Sequence, residues 1–81
     1  MSRQLLQVIE KYQRARHEFV QTIADQASRP ENIDNLMNLG VLSLLRPLLL
    51  DNVQAIQQAA ALAVGRFANH SLEIAEQIVD A

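Results

Sequence analysis

Ten consecutive residues near the middle of the chain are apolar around almost the whole circumference of a helix. The segment Val41–Leu50, VLSLLRPLLL, contains seven Leu or Val residues. It is far shorter than the roughly 20 apolar residues that cross a bilayer. Other elements must cover it, so we predict a buried core helix with Leu45 and Leu49 as anchors. Pro47 removes a backbone hydrogen bond to about Ser43 and should bend this helix.

Length, charge and cysteine content exclude several classes of protein. The chain has 81 residues, enough for one small domain with a marginal core. It contains no cysteine, which excludes disulfide frameworks, thiolate metal sites and thiol nucleophiles. A net charge of −2 gives no global attraction for nucleic acid, and we expect no nucleic-acid partner. No targeting signal or long apolar stretch is recognisable, so we predict a soluble cytoplasmic protein.

Composition and periodicity predict an all-α fold. The chain has only two glycines and two prolines, and aromatic residues are scarce. Pro30 and Glu31 suit the first turn of a second helix, about residues 30–38, and Gly40 suits its left-handed C-cap. The first helix, about residues 3–27, is predicted from apolar residues at steps of three and four, which are Leu5, Ile9, Tyr12, Ala15, Phe19, Ile23 and Ala27.

Two further helices are predicted after the apolar segment. Asp51-Asn52 supplies a turn and a candidate N-cap for a fourth helix, about residues 53–68. We predict that Asn69-His70-Ser71 ends this helix and that Ser71 caps a fifth helix, about residues 72–80.

Two segments of the chain recur at one period. A shift of 41 residues superposes Val20, Ile23, Ala24 and Ala27 on Ala61, Val64, Gly65 and Ala68, and a shift of 42 superposes Pro30-Glu31 on Leu72-Glu73. A unit of this length, with two short helices and a longer third one, is typical of armadillo repeats. We therefore predict an armadillo-repeat α-solenoid fragment. Its parts are an N-terminal helix (1–28), a complete repeat (29–69) and the first helix of the next repeat (70–81).

Several stretches carry a resemblance to a known family. The run from Gly40 to Ala68 looks like an armadillo repeat over nearly its whole length. More closely, the chain resembles the amino-terminal region of the sperm-associated antigen six family, through the stretches EKYQRAR, FVQ, RPENI, LGVLSLLR, LLLD and IQQAAALAVGRFAN. The resemblance implies a structural protein of the flagellar or ciliary axoneme, part of the cytoskeleton. It also implies binding to other central-apparatus proteins and to microtubules, and a requirement for flagellar motility.

No constellation of residues predicts a catalytic, cofactor or metal site. His17 and His70 lie 53 positions apart, and only Glu73 stands at ligand spacing from His70. The serines lie at a terminus, in turns or at helix starts, where capping accounts for them. Two isolated glycines cannot form a phosphate-binding loop. We predict that the protein is not an enzyme and uses no cofactor.

Armadillo arrays usually bind partners along a groove lined by their third helices. Relatives that bind nuclear-localisation peptides hold them with a tryptophan and, four residues later, an asparagine, where this chain has Leu62 and Arg66. We therefore do not expect peptide capture of that kind. Arg66 should be a surface residue whose removal leaves the melting temperature nearly unchanged. The predicted partner-binding residues are Gln21, Asp25, Gln58, Leu62 and Arg66.

The basic residues of the first helix leave two interpretations open. Four cations, Arg3, Lys11, Arg14 and Arg16, alternate with Glu10 and Glu18, so residues 1–20 carry about +2. They form either a solvated helix face or a small basic patch for an acidic partner such as a tubulin surface. A membrane-surface role for the apolar stripe is a further alternative, but Tyr12 and Phe19 favour a core stripe, and we expect no membrane partner.

Two expectations concern binding. The alternative to an axonemal scaffold is a generic cytosolic armadillo adaptor that holds an extended peptide in trafficking or signalling. We also predict a homo-oligomer, because the fifth helix would expose an apolar edge that a second copy can cover by packing or by helix exchange at the Asn69–Ser71 turn. The predicted oligomer interface consists of Leu72, Ala75, Ile78 and Val79.

Overall fold

The computed structural model describes the backbone of residues 2–80 and the side chains of residues 2–72. Within these residues it contains helices and no strand, so the predicted all-α class is confirmed. The two short middle helices and the long last helix follow the order predicted for an armadillo repeat. The elements are α1 (Arg3–Gln26), α2 (Pro30–Asn38), α3 (Val41–Leu45), a 3₁₀ helix (Arg46–Leu50) and α4 (Gln54–Asp80).

The bounds of α1 and α2 agree with the sequence prediction to within one residue. Ser2 caps α1, since its Oγ accepts a hydrogen bond of 3.1 Å from the backbone N–H of Leu5. Pro30 occupies the first turn of α2, where its missing N–H costs nothing. Gly40 has a φ of 77°, the left-handed conformation predicted for it, and this turn leads directly into α3.

The apolar segment Val41–Leu50 changes from α to 3₁₀ geometry at Arg46, one residue before Pro47. Proline has no N–H to donate to the preceding turn, so a regular α-helix cannot continue through it. The predicted disruption at Pro47 thus takes the form of a change of helix type. The side chain of Gln57 donates to the carbonyl oxygen of Leu49 at 3.0 Å and satisfies an acceptor at the end of the 3₁₀ helix.

The predicted end of the fourth helix at Asn69–Ser71 is wrong, because α4 continues without a break to Asp80. This stretch contains neither proline nor glycine. Asn, His and Ser each cost only about 0.7 kcal/mol or less relative to alanine inside a helix, too little to end one. Ser71 therefore lies within a helix rather than capping a new one, and no change of backbone conformation marks the predicted repeat boundary at residue 70.

The hydrophobic core forms where the carboxyl-terminal part of α1 meets the first half of α4. Alanines on both helices are buried there, which lets the two backbones approach closely. The short middle elements cover this contact with larger side chains. The buried residues are Val20, Ile23 and Ala24 of α1, Ala27 directly after it, Ile33 of α2, Val41, Leu45 and Leu48 of the apolar segment, and Ile56, Ala60, Ala63 and Phe67 of α4.

The apolar stripe predicted along α1 is buried only in its carboxyl-terminal part. Leu5, Ile9 and Tyr12 are exposed, whereas Ile23 and Ala27 belong to the core. With 24 residues α1 is about 36 Å long, and its first half lies beyond the core. The molecule measures 61 × 20 × 17 Å, which agrees with long helices that extend past a small core. The expected core position is therefore wrong for Tyr12, whereas Phe19 is half-buried against the core.

One ion pair joins the middle of α1 to the turn before α4. Arg16 donates two hydrogen bonds to the Asp51 carboxylate, from Nε to Oδ2 at 2.8 Å and from Nη2 to Oδ1 at 3.3 Å. Asp51 Oδ1 also accepts from the backbone N–H of Val53 at 2.9 Å, which fixes the turn. The Arg16 guanidinium lies 4.7 Å from the centre of the Tyr12 ring. Arg16 is thus a link between elements and not part of a free basic patch.

The ion pair predicts a dependence of stability on pH. Arg16, and secondarily the Val53 N–H, hold the pKa of Asp51 below its ordinary value of 3.8. A depressed carboxyl pKa stabilises the folded state above the unfolded-state pKa, and this contribution is lost as the pH falls through the lower folded-state value. We expect Asp51→Asn to lower the melting temperature at pH 7 and to have a smaller effect at acidic pH, as the pH falls through the lowered folded-state pKa.

A double-mutant cycle with Arg16→Gln separates this pair from general acid effects. The melting temperatures of the two single variants and the double variant should show coupling at pH 7 that is weaker at acidic pH. Equal coupling at both pH values would contradict the assignment.

Alanine variants of three leucines with different exposure test which face of the apolar segment is buried. Leu45 is 0% exposed and Leu50 is 85% exposed, while Leu49 is half-buried against the core. Leu45→Ala should lower the free energy of unfolding by about 2–5 kcal/mol, because it leaves a cavity in a closed environment. Leu49→Ala should cost about 1–2 kcal/mol and Leu50→Ala less than about 0.5 kcal/mol. Urea denaturation measures all three, and a cost for Leu50→Ala equal to that of Leu45→Ala would refute the orientation.

Candidate functional site

The predicted partner-binding residues lie on α1 and α4. Gln21 and Asp25 are exposed on α1, and Gln58 and Leu62 are exposed on α4. Arg66 is half-buried, which differs from the surface position expected for it. In the predicted oligomer interface, Leu72 is exposed, while the side chains of Ala75, Ile78 and Val79 lie outside the described residues. Partner binding and self-association through these residues stay predictions.

Arg66 acts as a cap for the carboxyl end of the other long helix. Its Nη1 donates a hydrogen bond to the carbonyl oxygen of Ala24 in the last turn of α1. The regular donor to that oxygen would be the N–H of Ser28, which instead bonds to the Asp25 carbonyl at 3.1 Å. A cation at a helix carboxyl end also interacts favourably with the helix dipole. One donor of the Arg66 guanidinium is therefore used inside the molecule.

A groove of about 730 Å³ lies between the first half of α1 and the segment Val41–Leu50. A second depression of about 310 Å³ adjoins it and shares Tyr12, Arg16, Leu44 and Leu48 with it. We call the two together the α1 groove. Its apolar lining consists of Ile9, Tyr12, Ala15 and Phe19 from α1 and Leu44, Pro47, Leu48 and Leu50 from the facing segment.

The α1 groove exists because two elements of different length face each other. The short segment Val41–Leu50 directs Leu45 and Leu48 into the core, and Leu44 and Leu50 remain exposed. The Arg16–Asp51 pair lies in the groove wall and fixes the two sides relative to each other. The sequence signal for this surface is the apolar spacing of Ile9, Tyr12, Ala15 and Phe19, which by itself does not distinguish a groove from a core face.

Metal and catalytic chemistry find no support among the side chains that the structure describes. No three His, Cys, Asp or Glu residues of this part of the chain lie close enough together to hold a metal ion. His70 Nε2 lies 3.9 Å from Asp34 Oδ1 and forms no hydrogen bond to a described residue. His17 lies on α1 and His70 lies on α4. The His70 contact can add an electrostatic attraction between α4 and α2 when the imidazole is protonated.

No single helix in the described part of the chain is both long and apolar enough to cross a bilayer. Only α2 taken together with Val41–Leu50 reaches the necessary length and composition, across a bend of 84°. That pair contains core residues of this fold, among them Ile33 and Leu45.

The capping role of Arg66 predicts a moderate effect on stability. Arg66→Ala should lower the free energy of unfolding by about 1–2 kcal/mol, because the Ala24 carbonyl loses a charge-assisted hydrogen bond in a half-buried position. Arg66→Lys should retain part of this contribution, since it keeps the charge near the end of α1. Urea denaturation of both variants, beside Arg29→Ala as an exposed control, measures the difference. An Arg66→Ala variant as stable as wild type would restore the original surface interpretation.

Comparison with known proteins identifies the family. No family model matches the chain. Over 77 residues the chain is 61% identical to Sperm-associated antigen 6 of Mus musculus and 60% identical to Sperm-associated antigen 6 of Homo sapiens. Each match covers 95% of this chain and 15% of the relative, so the chain spans only a small part of the length of these curated relatives. Identity of this degree over nearly the whole chain shows common descent, and the chain belongs to the sperm-associated antigen 6 family.

Proposed function

We propose that the chain is part of a structural scaffold in the central apparatus of the flagellar or ciliary axoneme, required for motility. The observation that carries the proposal is the identity of 60–61% to two proteins named Sperm-associated antigen 6. Their names state an association with sperm. The step from sperm to the axoneme, and to the cytoskeleton as the location, rests on the resemblance of the sequence to this axonemal family.

The form of the molecule supports a scaffold role. Helical repeats that stack along one direction create long surfaces, and this chain forms a narrow body 61 Å long. The α1 groove and the exposed faces of α1 and α4 offer protein-binding area on that body. We propose that other central-apparatus proteins and microtubules are the partners, and that binding rather than catalysis is the activity.

The basic residues of α1 suit an acidic partner. Arg3, Lys11 and Arg14 are exposed and form no ion pair with another described residue. Arg16 is excluded from this set, because it is bound to Asp51. With the exposed Glu10 and Glu18 of the same helix, the three exposed cations leave a charge of about +1, and we propose a small basic patch whose weak attraction for an acidic surface such as that of tubulin falls as salt increases.

Localisation in a flagellated cell tests the proposal. We would replace the gene for the parent protein with a fluorescently tagged copy and follow it before and after extraction with detergent and high salt. We expect a line along the axoneme that resists extraction, and impaired beating in cells that lack the protein. A cytosolic adaptor would leave with the soluble fraction. Complete extraction together with normal beating of the deficient cells would refute the proposal.

A further inference from the structure

We draw no further inference here: the strongest candidate, the α1 groove between the first half of α1 and the segment Val41–Leu50, carries nothing because nothing in the structure shows what covers it.

Discussion

The close packing of α1 against α4 is the constraint on which the rest of the structure depends. Ala24 of α1, Ala27 directly after it, and Ala60 and Ala63 of α4 are buried, and an arginine of α4 reaches the backbone of α1. Small side chains let two long helices approach, but they bury little apolar area each. The larger residues of the short middle elements must therefore complete the core, which explains why α2, α3 and the 3₁₀ helix wrap around this contact.

Polar contacts fix the positions of the helix ends, which the apolar packing of α1 against α4 does not determine. Arg66 holds the last turn of α1, and Arg16 holds the turn that begins α4 through Asp51. Each arginine joins elements that lie far apart in sequence, by 42 residues in one case and 35 in the other. A small core with few buried large side chains gains definition from such directional contacts. The two arginines thus set how α1 and α4 align along their length.

Local signals predicted the parts of the fold that local physics decides. Pro30 and Gly40 placed the two ends of α2, since backbone conformation at helix ends depends on near neighbours. The continuation of α4 through Asn69–Ser71 was missed because weak helix formers are not helix breakers. The α1 groove and the capping role of Arg66 depend on which elements meet in three dimensions, and periodicity along one helix shows an apolar face without showing what covers it.

The apolar composition of Val41–Leu50 follows from its location between the core and the α1 groove. Leu45 and Leu48 point into the core, whereas Leu44 and Leu50 lie on the side that lines the α1 groove. A short segment that faces a core on one side and an apolar groove on the other is apolar nearly all round, although it is not fully enclosed. Pro47 shifts the segment into 3₁₀ geometry, and this changes the angular spacing of its leucines. The apolar composition of this segment is therefore explained by its contact with both the core and the groove.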